Sequence, residues 1–342
     1  MGRIWEYYLI MTRSCNMHCI YCIQGQNKPQ IYMNIDHERV ASYFPLDGEY
    51  RVVFYGGEPL LQFDDVIKIA TLLKKRNPKV KFAITTNGTM LTFDKVKIFN
   101  ELDFHVSVSH DGPKHSELRG IQDFLKVNPE PFLALKGKSL IATATRLNWN
   151  FYDIWNYFDG FEEEHGLPHI KVRIQTIKDV DNGTTEDLFI YQMPEFETML
   201  DNVFLNLKNS IIHKDFTSRE YIEYQTRIEN LNYILHFPDE FGAYCGAEKS
   251  LCSIDIEGNL YPCCNSHKSN GNISVDGLRS GNYNPFKLTS ECRQCSIYLL
   301  CGGGCVVTAP EKRKYMCYLE YQQGIRLLKV LNDIKEVDIY AK

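Results

Sequence analysis

The 342-residue chain contains no apolar run near the ~18 residues that a membrane span requires. Its start, Met1-Gly2-Arg3-Ile4-Trp5-Glu6, has no apolar core of the kind that drives secretion, and no Ser or Thr in the sixth place that myristoylation needs. Basic charge is not in excess. Lys and Arg number 38 against 43 Asp and Glu, giving a net charge of −5, so no footprint for nucleic acid is present. Internal repeats and low-complexity tracts are missing, and with 44% hydrophobic residues the chain can build a sizeable core. Cysteine is absent from 23 to 244. These absences point to a cytoplasmic protein that binds neither membrane nor nucleic acid.

Cysteine is abundant outside that gap. Three residues, Cys15, Cys19 and Cys22, lie close together, and nine more fall between Cys245 and Cys317. In a reducing compartment disulfides are disfavoured, which leaves metal ligation or catalysis. Core cysteines would be scattered, and these are grouped. Cys15-x3-Cys19-x2-Cys22 offers three thiolates from one loop. A 4Fe–4S cluster normally takes four, so three would leave one iron open to another ligand. Zinc with a remote fourth ligand is the competing reading for three close cysteines alone.

The first half alternates strand-like and helix-like segments. Strands are expected at 6–12, 51–55, 80–85, 104–109, 139–145 and 170–177, with helices at 34–44 (Asn34 as N-cap), 64–75, 94–102 and 151–164 between them. Such alternation predicts an α/β fold, a partial (β/α)6 barrel with a parallel sheet and helices outside. Ligands of parallel α/β folds sit at the carboxyl ends of strands. Cys15–Cys22, Gly56–Pro59, Thr86–Gly88 and Ser109–Gly112 all follow such ends and should meet on one rim. A polar surface loop is expected at 179–187, and helices at 195–207 and 218–235. From Tyr244 the composition turns to Cys, Gly, Asn and Ser, a ligand-held segment with little apolar core of its own. The expected units are a barrel at 1–180, a helical bridge at 181–240, and a cysteine-rich domain with a C-terminal helix at 241–342.

The CxxxCxxC loop with an aromatic residue, Tyr21, before its last cysteine resembles the radical S-adenosylmethionine (SAM) superfamily. Gly56-Gly57-Glu58-Pro59 resembles that family's GGEP motif, Thr86-Asn87-Gly88 its TNG strand end, and Ser109-His110-Asp111-Gly112-Pro113, with Arg119 beyond, its SxDGP motif. The resemblance covers about residues 5–177. It implies that SAM binds the open iron and is cleaved to a 5′-deoxyadenosyl radical. It also implies that Tyr21, Gly56, Gly57, Glu58, Pro59, Asn87, Ser109 and Arg119 contact the cofactor. The two glycines suit close backbone approach to a ligand, and the Glu58 carboxylate suits the ammonium of methionine. On this reading Gly57→Val should block SAM binding and leave iron content near normal. His110 stands where the family often has an apolar residue, and reads as a packed or solvated histidine.

The C-terminal cysteines resemble the SPASM extension of radical SAM enzymes. The family arrangement implies two auxiliary 4Fe–4S clusters, one on Cys245, Cys252, Cys263 and Cys305, the other on Cys292, Cys295, Cys301 and Cys317. The cofactors are then three 4Fe–4S clusters and SAM. Cys264 remains over and is a candidate catalytic thiol, hydrogen-atom donor or base, against the plainer reading of a small buried residue. The resemblance implies a maturase acting on a ribosomally made peptide, with a peptide or protein substrate and a flavodoxin- or ferredoxin-like electron donor. The first cysteine lies fourteen residues from the start, so a fused leader-binding domain is not expected and a separate leader-peptide-binding protein can serve. Alternatives are a sulfatase maturase forming formylglycine, a small-molecule radical SAM dehydrogenase, and an iron–sulfur electron carrier without SAM chemistry. An electron carrier needs no strand-end motifs. In sulfatase maturases an Asp base follows the cysteine matching Cys263, and here that position is Cys264.

Overall fold

The computed structural model describes residues 5–22, 24, 31–177, 186–236, 250–277, 290–305, 308 and 310–334. Six parallel strands form the first part of one sheet: β1 Glu6–Thr12, β2 Arg51–Gly56, β3 Lys81–Thr86, β4 Phe104–Ser109, β5 Gly137–Ala144 and β6 Val172–Thr176. Between them run α1 His37–Ser42, α2 Phe63–Arg76, α3 Phe93–Glu101 and α4 Phe151–Glu164. Local chemistry sets where these begin. Thr92 accepts from the Lys95 N–H and Asn150 from the Tyr152 N–H, each satisfying a donor that a helix start leaves open. In α2, Asp64 and Asp65 occupy the first turn and Lys74, Lys75 and Arg76 the last, with the helix dipole. Asn34 is not the cap of the first helix. It has a left-handed φ of 57°, and Asp36 caps α1 instead, accepting from the Arg39 N–H.

The two faces of the strands differ. Period-two alternation puts Leu9, Phe54, Ile84, Val106, Leu140 and Val172 on the outer face, in one core with α2, α3 and α4. The inner face is polar across β4, β5 and β6. Ser107 lies 3.0 Å from Ser139, and His105 Nε2 lies 2.9 Å from the Ser139 hydroxyl. In register, Ser109 pairs with Ile141 and Ile141 with Arg173, a row across three strands.

The sheet does not stop at six strands. β7 Leu251–Asp255 pairs parallel to β1, and β8 Asn259–Tyr261 and β9 Gly271–Asn272 follow antiparallel, giving the order β6-β5-β4-β3-β2-β1-β7-β8-β9. The cysteine-rich segment therefore does share an apolar core: Cys252, Ile254, Ile256 and Leu260 belong to the main cluster. That sharing was not visible in its composition. Helices α5 Pro194–Ile212, α6 Arg219–His236 and α7 Arg313–Asp333 complete the fold. Glu223 of α6 accepts from the Ile174 N–H at 3.0 Å, which covers part of the β6 edge, and α7 is tied to α5 through Arg326–Asp201 at 2.7 Å. Of the loop expected at 179–187, all but Glu186 and Asp187 lies outside the described residues. No helix among the described residues is long and apolar enough to cross a membrane.

Candidate active site

The strand ends singled out in the sequence meet on one rim, and hydrogen bonds join them to the first cysteine loop. The Gly57 N–H donates to the Thr12 carbonyl and the Glu58 N–H to the Ser14 carbonyl, both at 2.8 Å. A Cβ on Gly56, whose φ is 140°, would stand 2.0 Å from the Thr12 carbonyl oxygen, and one on Gly57 2.2 Å from that of Ser14. The close approach that these glycines allow is thus to the backbone leading into Cys15.

Glu58, expected to face an ammonium, turns inward. It is fully buried, and its carboxylate accepts from the Leu60 N–H at 2.9 Å, the Thr86 hydroxyl at 2.8 Å and the Asn87 N–H at 2.7 Å. Burial pushes its pKa up to about 7 against those three donors. Pro59 is buried at the first turn that follows. Asn87, held by Glu58, donates to Asn16 at 2.8 Å and to the Cys15 sulfur at 3.7 Å. Ser109 ends β4 on the same rim, half-buried.

On the other side of the loop, Tyr21 donates a hydrogen bond to Asp111. Arg119 forks onto the same carboxylate, Nε at 2.8 Å and Nη2 at 3.0 Å, and the Thr143 N–H adds a fourth donor at 2.8 Å. Burial opposes the Arg119 charge, and Asp111 more than restores it, holding the guanidinium above its ordinary range. Asp111, part of the SxDGP match but given no role from the sequence, is the centre of this cluster. His110 is buried in a separate network. Its Nε2 lies 2.8 Å from Asp123, which also accepts from Tyr157, and the His115 ring stacks on it at 3.9 Å.

The cysteines fit an iron–sulfur cluster better than a single ion. Burial pushes Cys19 up to about 12 and raises Cys15, so a bound metal would be what ionises these thiols. Tetrahedral zinc at about 2.3 Å from each sulfur would hold the sulfurs about 3.8 Å apart. Among the described residues, the group of three ligand atoms lying within 4.8 Å of one another is Asp159, Glu162 and His169, not any set of cysteines. Arg219 already occupies that group, at 2.6 Å from Asp159 and 2.8 Å from Glu162.

In the C-terminal region, Cys292, Cys295, Cys301 and Cys317 converge. Burial and Glu320 push Cys301 up to about 12, with Cys317 and Cys295 adding, while Cys317 is raised by burial and by Cys292 and Cys295. Of the other set, Cys245 lies outside the described residues. Cys252 is buried on β7 beside Tyr7, Cys305 is buried, and Cys263 follows β8 half-buried.

Cys264 is buried against the inner face of the sheet. Burial pushes Tyr55 well above its ordinary range, and Cys264, Cys263 and Cys22 add to that shift, so this ring lies between the two cysteine regions. Tyr55 donates to Asn265 at 3.0 Å and packs edge-on against Tyr8 at 5.6 Å. Two residues here were not singled out from the sequence. Gln24 Nε2 donates to Asn265 at 3.2 Å, and Arg13 bonds to the carbonyls of Cys264 and Ser266. A cation two places before the first cysteine was the available signal for Arg13.

A three-cysteine loop bound to glycine, carboxylate and amide strand ends defines a radical SAM site. Residues 9–133 match the Radical SAM superfamily model, so this part of the chain carries a radical SAM domain, the kind of domain that binds a 4Fe–4S cluster and SAM. It is 28% identical over 138 residues to an uncharacterized protein of Methanocaldococcus jannaschii, a match spanning 40% of this chain and 48% of that protein. A cysteine-type anaerobic sulfatase-maturating enzyme of Clostridium perfringens is 23% identical over 95% of this chain and 97% of its own. The fold is that of native anSMEcpe with bound AdoMet and Cp18Cys peptide, with a TM-score of 0.73, 19% identity, and coverage of 98% of this chain and 100% of that one. Streptococcus suis SuiB bound to precursor peptide SuiA shares it at a TM-score of 0.63 and 18% identity, over 89% and 73% of the two chains.

Proposed function

We propose that the chain modifies a ribosomally made peptide or protein by hydrogen-atom abstraction. The observation that carries this is the polar chemistry of the inner face of an unclosed sheet. The described sheet runs from β6 to β9 without its end strands pairing, and Ser107, Ser139, Thr143 and Gln175 share the inner face across β4–β6. A polar sheet face whose edge strands leave the sheet unclosed suits the backbone amides of an extended chain. That two proteins of this fold carry peptides supports the same reading.

Cys15, Cys19 and Cys22 would hold the first cluster, with Cys245, Cys252, Cys263 and Cys305, and Cys292, Cys295, Cys301 and Cys317, holding two more. When bound, cluster and SAM supply a carbon-centred radical able to take a hydrogen atom from an unactivated carbon. The protein's part is placement. Glu58 fixes Asn87 beside Cys15, and Asp111 fixes Tyr21 and Arg119 beside Cys19. Cys264 reaches the inner face, where its thiol returns a hydrogen atom to the substrate or takes a proton from it. A one-electron donor of the flavodoxin or ferredoxin class supplies the electron, and a separate leader-binding protein delivers the peptide. A second reading, formylglycine formation, is favoured by the nearly full-length match to a sulfatase-maturating enzyme, and Cys264 in place of the family's Asp counts against it.

The test is anaerobic reconstitution followed by assay with short peptides encoded beside the gene and with a sulfatase-derived peptide. About twelve irons, 5′-deoxyadenosine formation, and a mass change confined to the neighbouring peptide are expected. In deuterated water a Cys264 donor predicts one deuterium in the product, lost in Cys264→Ala. Modification of the sulfatase peptide alone would replace this proposal with the second reading.

A further inference from the structure

Two arginines are buried beside the first cysteine loop, and they are compensated differently. Arg119, 6% exposed, is forked onto Asp111. Arg13, 7% exposed, meets only neutral groups. Its Nη1 donates to Gln24 Oε1 at 2.7 Å and to the Cys264 carbonyl at 3.1 Å, its Nη2 donates to the Ser266 carbonyl at 2.7 Å, and its guanidinium lies 5.1 Å from the Tyr261 ring centroid. Among the described residues no carboxylate forms a salt bridge with it. Asp255 is linked to it only through Tyr261, whose hydroxyl donates to Asp255 at 2.8 Å.

A buried cation without a counter-charge is strongly unfavourable. Three fixed acceptors nonetheless hold this one in place. Its backbone lies two residues before Cys15, and its side chain ends on the loop that carries Cys263 and Cys264. A 4Fe–4S core held by thiolates is net negative, and one-electron reduction makes it more so. We propose that Arg13 is the counter-charge shared by the iron–sulfur sites on its two sides, and that it raises their reduction potentials by favouring the reduced state. Arg13 acts through the clusters and touches no reacting atom, so it is a positioning residue. This rests on reading the cysteines as cluster ligands.

The test is potentiometric titration of the anaerobically reconstituted full-length protein with dithionite and mediators, read by the EPR signal of the reduced clusters, with iron measured on each sample. Gln24→Glu sets a carboxylate where Arg13 already meets an oxygen, neutralising the charge without moving it. Arg13→Gln removes the charge, and Arg13→Lys keeps it but loses the fork. Gln24→Glu and Arg13→Gln should titrate at more negative potential than wild type with iron retained, and Arg13→Lys close to wild type. Where Arg13→Gln holds less iron, Gln24→Glu decides. Wild-type potentials in iron-loaded Gln24→Glu, or equal shifts in Arg13→Lys and Arg13→Gln, would overturn the proposal. Wild-type protein that takes up no iron would instead overturn the cluster reading on which it rests.

Discussion

Gly57→Ala should cost the enzyme its first cluster. The added Cβ would stand 2.2 Å from the Ser14 carbonyl oxygen, 2.6 Å from the Ser14 carbonyl carbon and 2.8 Å from the Arg13 carbonyl oxygen. All three are backbone atoms, so no side chain can swing aside. Ordinary carbon–oxygen contact lies at about 3.3 Å, so the two chains must part by about 1 Å. That motion stretches the Gly57-to-Thr12 and Glu58-to-Ser14 hydrogen bonds, each now 2.8 Å. Two hydrogen bonds at about 1 kcal/mol each and an overpacking cost of about 1–3 kcal/mol give a loss of about 3–5 kcal/mol. The displaced backbone is the one that places Cys15, so iron should fall toward two clusters' worth and SAM cleavage should vanish with it. This reverses the expectation from the motif alone, which kept iron normal. Iron content and thermal midpoint after anaerobic reconstitution measure both effects. Gly160→Ala is the control, because nothing lies within 4 Å of its added Cβ inside α4, and helix propensity favours Ala by about 1 kcal/mol. Full iron and an unchanged midpoint in Gly57→Ala would refute the reasoning.

His115→Phe should stabilise the protein, most of all in acid. Both ring nitrogens of His115 are buried without a hydrogen-bond partner, and burial, with His110 and Arg119, lowers its pKa to about 3. The unfolded chain then binds the proton more readily than the folded one between pH 3 and 6.5, so stability is lost as pH falls through that window. Phe keeps the stack on His110 and removes the two unsatisfied atoms, a gain of about 1–3 kcal/mol at neutral pH that grows toward pH 5; urea midpoints that are equal at both pH values would contradict it. Arg119→Lys should lower stability by about 3 kcal/mol, because a single ammonium cannot make both bonds to buried Asp111. Urea denaturation of the loaded protein measures this, and a loss under 1 kcal/mol would show that Asp111 is held by its other donors.

The sequence made the rim legible because parallel α/β topology puts successive strand ends side by side, so four short motifs far apart in the chain had to meet. Alternation in FHVSVS likewise marked β4 as apolar on one side and polar on the other. What stayed hidden were the partners of each motif residue. Gly57 and Glu58 carry no mark that says whether they face a ligand or the neighbouring strand end, because close approach and carboxylate acceptance are the same chemistry in both cases. The structure adds the protein contacts: the glycines meet Thr12 and Ser14, and Glu58 meets Leu60, Thr86 and Asn87. The extension of the sheet was hidden for a similar reason. LCSID has the length of a strand and one β-branched residue, Ile254, but its cysteine and the cysteines on either side of it read as a ligand loop, and only pairing with β1 makes it part of the main core. That pairing has a consequence for the chemistry. It sets the C-terminal segment beside the strand that leads into Cys15, so Cys264 reaches the inner face of the barrel through a sheet contact as well as through any cluster. Removing the auxiliary cysteines should therefore leave β7 on β1, while a proline at Ser253, inside that strand, should separate the two regions even with every cysteine in place.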